Sequence, residues 1–170
     1  MEESIPLEEL TKQLHAALEP TLEELRYAVS LHPGFSVVSS GIGEDGPVHS
    51  WIGLTSERVD NEMPEVTLSI SCVLIRWPET VDTTLRCAVG WYRSATLGGL
   101  DGFCIYESGQ PPIQVGGFPD LSRASQHFPR LKAAYLKALD RGTPPSRTQQ
   151  FWNRHFRGCP PPMHFSLNNQ

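Results

Sequence analysis

Residues 65–93, with the sequence EVTLSISCVLIRWPETVDTTLRCAVGWYR, decide the fold class. Apolar residues alternate with other residues along 66–75, and again along 85–92 after a Pro-containing break at 78–81. Alternation with a period of two, rich in β-branched and aromatic residues, is the pattern of strands that bury one face. The stretch therefore predicts one long antiparallel β-hairpin at the centre of the protein.

The hairpin pattern also predicts its own register, because opposed residues of an antiparallel pair share a face. An even loop of four residues at 78–81 matches the two apolar sets and pairs Cys72 with Cys87. A slip of one residue would place the apolar face of one strand opposite the other face of its partner, so the register is strongly specified. We predict two packed, reduced thiols, since a relaxed disulfide needs a shorter separation than opposed residues give.

The segment before the hairpin begins with a predicted helix. Residues 4–31 carry leucines at spacings of three and four, the pattern of a helix with one apolar stripe. We expect Ser4 to cap a first helix, Pro20 to interrupt it, and Thr21 with Glu24 to restart it as a capping box. Such a stripe usually faces the core, although a helix that fills the groove of a partner has the same pattern.

Two strands are predicted between this helix and the hairpin, at 35–40 and 48–59. The alternation in the second places Trp51 on the face opposite Ile52 and Leu54. The glycine-rich segment 41–46 between them lacks the spacing and the lysine of a phosphate-binding loop, so it is interpreted as a hairpin turn.

The segment after the hairpin completes the predicted domain. Residues 102–107 form a further strand, 113–115 a short edge strand, and a helix that Pro129 divides follows Asp120 and ends before Gly142. The sequence therefore predicts an α+β fold: a mostly antiparallel sheet of about five to six strands, flanked by N-terminal helices and a late helix. Residues 1–142 form a single domain, and residues 143–170 a tail.

Charge is distributed unevenly between these two parts. The chain has 170 residues and a formal net charge of −5. Residues 1–140 hold 10 basic and 19 acidic side chains, a net charge of −9, whereas residues 141–170 hold 4 basic side chains and no acidic one. An acidic N-terminus without an apolar segment, and no apolar run of about 18 residues, predict a cytoplasmic protein without a membrane partner.

The tail is too aromatic to be interpreted as disordered. A proline pair at 144–145 and a proline triplet at 160–162 lie on either side of a segment rich in aromatic residues and arginine. We predict that this basic aromatic segment docks, either on the domain itself or on a partner, because interface centres favour Trp, Phe and Arg. The predicted partner-binding residues are Phe151, Trp152, Arg154, Phe156 and Arg157.

No catalytic residue, cofactor or metal site is predicted from the motifs. His155, Cys159 and His164 lie close in sequence, but a three-residue set interrupted by prolines is a weak zinc pattern. Cys104 lies within an alternating strand, so a structural thiol is expected there rather than a nucleophile.

Three functions remain open at this stage. The first is a non-catalytic protein-interaction module of the adaptor, chaperone or immunity-protein type, which binds another protein or itself. The second is a small-ligand-binding protein or enzyme with a pocket between the sheet and the N-terminal helices. Weak nucleic-acid binding by the tail is the third, and the −9 charge of residues 1–140 opposes it.

Overall fold

A computed structural model of the protein describes residues 6–44, 49–59, 66–76, 83–94, 100–107, 113–114 and 121–142. Side chains are described for 6–44, 49–59, 67–76, 83–92 and 121–142. The elements in chain order are helix α1 (Leu7–Leu31), strands β1 (Phe35–Glu44), β2 (His49–Arg58), β3 (Val66–Arg76), β4 (Thr83–Ser94), β5 (Leu100–Glu107) and β6 (Ile113–Gln114), and helices α2 (Leu121–Ser125) and α3 (Phe128–Arg141).

The strands form one antiparallel sheet in the order β1-β2-β3-β4-β5, and β6 pairs with β4 beside β5. The predicted α+β class, with an antiparallel sheet, an N-terminal helix and a late helix, is confirmed. The sequence predicted about five to six strands, whereas the described buried core draws its strand residues from four, β1 to β4. The side chains of β5 and β6 are not among those described, so the core that the structure describes comes from β1 to β4, which form a continuous antiparallel meander.

The predicted register of the central hairpin is confirmed. Ile70 pairs with Val89 and Cys72 pairs with Cys87 in the β3–β4 ladder. Both cysteines are buried free thiols. Burial, followed by the neighbouring Cys87, raises the pKa of the Cys72 thiol well above its ordinary value. The Cys72 thiol therefore remains protonated, and the two free cysteines contribute packing rather than a cross-link.

Helix α1 corrects the prediction of two N-terminal helices. It is a single 25-residue helix that continues through Pro20. A proline inside a helix costs about 3 kcal/mol, but the leucines on both sides of it, from Leu10 to Leu25, are completely buried. Each buried leucine contributes about 1.5–3 kcal/mol, so the continuous apolar stripe outweighs the proline. Pro6 lies at the N-cap position, and Ser4 lies outside the described residues.

Strand β1 corrects the prediction of a glycine-rich turn at 41–46. The strand extends to Glu44, and Gly41 and Gly43 pair with Gly53 and Trp51 of β2. Gly41 has φ 124°, which side-chain-bearing residues rarely adopt. At Gly43 a Cβ atom would lie 2.2 Å from the Trp51 indole, so the ring lies directly over this glycine. Gly43 thus permits close packing and Gly41 permits an unusual backbone conformation, both within a strand rather than in a turn.

The late helical segment forms two helices, as Pro129 predicted. Helix α2 ends at Ser125, and α3 begins at Phe128 with Pro129 in its first turn. Helix α3 ends at Gly142 in the left-handed conformation, φ 77°, as predicted for a glycine after a helix. Asp120 lies outside the described residues. Helices α1 and α3 pack on the same face of the sheet and share one buried core with it.

Candidate functional site

The exposed edge of the sheet is the described feature that most resembles a binding surface. Strand β1 forms one end of the sheet order and pairs only with β2 among the described strands. Phe35 is buried, but the other apolar side chains of β1 are exposed: Val37 by 37%, Val38 by 52% and Ile42 by 45%. Apolar residues on an open strand edge favour pairing with another extended chain.

Strand β1 has one feature that often protects an edge strand, a β-bulge, and lacks two others. It reads FSVVSSGIGE and contains neither lysine nor proline, the residues that most often block edge pairing. A bulge interrupts the ladder with β2 between Val37 and Ser39, and the register is continuous from Ser39 to Glu44. The continuous part has the length of an average strand, about 5–6 residues, which is enough to template an added strand.

A polar network holds this edge against α1. Arg26 donates a hydrogen bond of 2.8 Å to the Ser40 hydroxyl of β1, and it also pairs with Glu19. His15 Nε2 lies 3.0 Å from the other carboxylate oxygen of Glu19. The hydrogen bond from Arg26 lowers the pKa of Glu19 below its ordinary value, and the charges of Arg26 and His15 add to the effect. The network therefore fixes the edge strand in place, which lowers the entropy cost of binding there.

The Glu19 network predicts a pH dependence of stability. Because the pKa of Glu19 is lower in the folded state than in the unfolded state, its contribution is present above the ordinary value of 4.5. That contribution is lost as the pH falls from near 4.5 through the lower folded value. We expect Glu19→Gln to be less stable than wild type at pH 6, and the difference to shrink at pH 3, in urea unfolding at both values.

The matched control for this prediction is Glu23→Gln, which removes an exposed carboxylate one turn along the same helix. It should follow the wild-type pH dependence, since Glu23 lies outside the network. A Glu19→Gln variant that tracks wild type at both pH values would show that the network contributes nothing measurable, as many partly exposed ion pairs do.

The space between α1 and the sheet, the predicted place of a ligand pocket, is filled with apolar side chains. Leu14, Leu18 and Leu22 face Ile52 and Leu54 within the buried core. The polar side chains there bond within the protein: the Thr11 hydroxyl donates to the Leu7 carbonyl at 2.7 Å and lies 2.7 Å from the Ser50 hydroxyl. No polar group of this set is left to orient a ligand, and none points to a pocket.

The second buried polar pair lies between the sheet and α3. The Tyr135 hydroxyl is 2.6 Å from the Ser56 hydroxyl, which also donates to the Leu68 carbonyl at 3.3 Å. Burial raises the pKa of Tyr135 well above its ordinary value. A neutral phenol bonded to a serine is a structural contact that fixes α3 on β2, and it has no catalytic partner among the described residues.

The predicted tail residues, Phe151, Trp152, Arg154, Phe156 and Arg157, all lie outside the described residues, as do His155, Cys159 and His164. Cys104 lies in β5 opposite Gly90 of β4, and its side chain is not among those described. Within the described ranges, no group of three or more His, Cys, Asp or Glu side chains has the arrangement of a metal site. The described helices include none with the length and apolar character required to cross a membrane.

Sequence reasoning missed the exposed edge of β1. The available signal was the pair Val37–Val38. Adjacent residues of a strand point to opposite faces of the sheet, so both cannot face the same core. A strand was predicted at 35–40, but the glycines that follow concealed its extension to Glu44, because glycine-rich segments usually mark turns.

No protein-family model matches the chain, and the comparisons with curated proteins and with solved structures give no match.

Proposed function

We propose that the protein is a non-catalytic protein-interaction module that binds an extended segment of another protein along the outer edge of β1. The bound segment adds an antiparallel or parallel strand to the sheet, so main-chain hydrogen bonds supply affinity and side-chain contacts supply selectivity. The observation that carries the proposal is the edge strand itself, with Val38 and Ile42 exposed and no lysine or proline along it.

Two further features support strand addition over the alternatives. The network of Arg26, Glu19 and Ser40 holds β1 against α1, so the edge is already ordered before a partner binds. In contrast, the polar groups between α1 and the sheet bond to one another, which disfavours the small-ligand alternative. Weak nucleic-acid binding remains the third possibility, and the −9 charge of residues 1–140 opposes it.

The tail residues Phe151, Trp152, Arg154, Phe156 and Arg157 are proposed as a docking element, on the domain itself or on a partner. Aromatic residues supply apolar area and arginines supply directed hydrogen bonds, and both are enriched at interface centres. The tail is basic and the rest of the chain acidic, so its contact weakens as salt screens the charges.

Peptides of random sequence displayed on phage and selected on the full chain test the edge proposal. We expect selected peptides to bind Ile42→Lys at least tenfold more weakly than wild type, a loss of about 1.4 kcal/mol. The lysine blocks close approach of a second strand and removes the apolar contact. Because Ile42 is already 45% exposed, the free energy of unfolding should change by no more than about 0.5 kcal/mol.

Leu31→Lys is the matched control, since Leu31 is 66% exposed but lies on α1 rather than on β1. It should bind the selected peptides as wild type does. A selection that yields no peptide sensitive to Ile42→Lys would contradict the proposal. Concentration-dependent dimers that Ile42→Lys abolishes, seen in sedimentation velocity, would assign the edge to a second copy of the chain instead.

A further inference from the structure

The face of the sheet that points away from the helices is buried, although the described helices cover only the other face. Residues of this second face alternate with core residues along β2, β3 and β4, and they are not part of the core cluster. Their exposure is nevertheless very low: 3% at Trp51, 1% at Ser69, 2% at Ser71 and 1% at Tyr92. An antiparallel sheet with one open face would show solvated side chains there.

Small residues occupy two adjacent rows across the middle of this face. Gly53, Ser71 and Ala88 are opposed in one row, and Thr55, Ser69 and Gly90 in the next. Larger side chains flank the two rows, with Trp51, Val73 and Arg86 in the row on one side and Tyr92 in the row on the other. Successive rows on one face are about 7 Å apart. The two rows of small residues therefore form the floor of a groove that is wide enough for an extended segment with an aromatic side chain.

The hydroxyl groups in one row of the groove floor are already hydrogen-bonded within the sheet. Thr55 and Ser69 bond to each other at 3.2 Å, and the Ser69 hydroxyl also lies 3.4 Å from the Leu54 carbonyl. Further along the same face, Thr67 Oγ1 is shielded from solvent and has no hydrogen-bond partner among the described residues. Shielding a hydroxyl without a hydrogen bond destabilises the folded state unless another segment contributes a polar group.

We propose that the occupant of this groove is the chain's own C-terminal segment, residues 143–170, with the aromatic residues around Trp152 seated over the small residues of β3 and β4. The segment follows Gly142, and Arg58 at the end of β2 donates a hydrogen bond to the Gly142 carbonyl. The tail therefore departs from the end of β2, on the side of the sheet that the helices cover, and reaches the second face by passing the end of the strands. It has 28 residues, and even a third of their extended length, about 30 Å, spans the three strands, which lie about 5 Å apart.

Composition and charge favour this occupant over the other segments outside the described residues. Residues 143–170 contain Phe151, Trp152, Phe156 and Phe165, more aromatic residues than any of the other undescribed segments. They contain no acidic residue, and residues 1–140 carry a net charge of −9. Glu57 lies in the same row as Thr67 and Tyr92, so a carboxylate is available at this wall of the groove for a tail arginine.

Photo-cross-linking within the full chain tests this proposal. p-Benzoylphenylalanine replaces Trp152, and mass spectrometry maps the cross-linked peptides after irradiation. We expect cross-links to the second face of β3 and β4, around Ser71 and Ala88, and only within one chain when isotopically light and heavy chains are mixed. The same photo-residue in place of Tyr27, which is 66% exposed on α1, is the control and should not reach these strands. Cross-links from position 152 to α1 or α3, or between light and heavy chains, would overturn the proposal, as would the absence of cross-links.

Limited proteolysis of a second full-chain variant provides an independent test. Ser71→Tyr fills the groove, so it should speed trypsin cleavage after Arg154 and Arg157 at least tenfold. Ser30→Tyr, at an exposed position of α1 and therefore away from the second face of the sheet, is the matched control and should leave the cleavage rate unchanged. Unchanged cleavage in a folded Ser71→Tyr protein would contradict docking at this groove. If Ser71→Tyr does not fold, the cross-linking result alone decides.

Discussion

Leu74→Asp unfolds the domain. Leu74 is completely buried and pairs with Leu85 near the loop end of the central hairpin. The substitution removes about 1.5–3 kcal/mol of apolar burial, and it places a carboxylate in the core without a partner, which costs several kcal/mol more. Since a domain of this kind has a total stability of about 5–15 kcal/mol, we expect the cooperative thermal transition to be lost or shifted strongly downward.

Circular dichroism during thermal unfolding measures this effect. Leu31→Asp makes the same chemical change at a position that is 66% exposed, so it should alter the free energy of unfolding by about 0.5 kcal/mol or less. A Leu74→Asp protein with a melting curve close to wild type would show that the apolar face of the hairpin is not the core. It would then contradict the assignment on which the fold prediction rests.

Gly53→Ala should destabilise the sheet, although the same change usually has the opposite effect in a strand. A glycine in a strand is ordinarily about 0.5–1 kcal/mol worse than alanine because of its conformational entropy. At position 53 a Cβ atom would lie 2.4 Å from the Ile70 carbonyl oxygen and 3.2 Å from the Ser71 Cα atom. Both are main-chain atoms of the neighbouring strand, so β2 and β3 must separate locally. Overpacking of this kind costs about 1–3 kcal/mol.

The sign of the change makes this prediction easy to check by urea unfolding. Ser36→Ala, at an exposed position of β1, controls for the introduction of alanine into a strand and should be close to neutral. An increase in stability for Gly53→Ala would mean that the two strands lie further apart than described. The substitution would then act only by reducing the conformational entropy of the unfolded chain, which stabilises the folded state.

The sequence by itself determined the central hairpin, and the reason is local. Period-two alternation specifies which face of each strand is apolar, and an even loop then specifies which residues oppose each other. Cys72 and Cys87 therefore lie opposite each other, as predicted. The same alternation placed Trp51 on the face opposite Ile52. Glycine and proline preferences placed the end of the late helix before Gly142 and the division of the late helical segment near Pro129. Each of these signals is carried by neighbours within a few residues.

Only the tertiary structure decided the features that bear on function. Pro20 and the glycines of β1 have local preferences for a helix break and a turn, but long-range packing against the sheet outweighs both. The exposed edge of β1 depends on the order of the strands, and the buried second face depends on what covers strands far apart in sequence. Neither can be obtained from periodicity, because a strand has the same alternation at an edge as in the middle of a sheet.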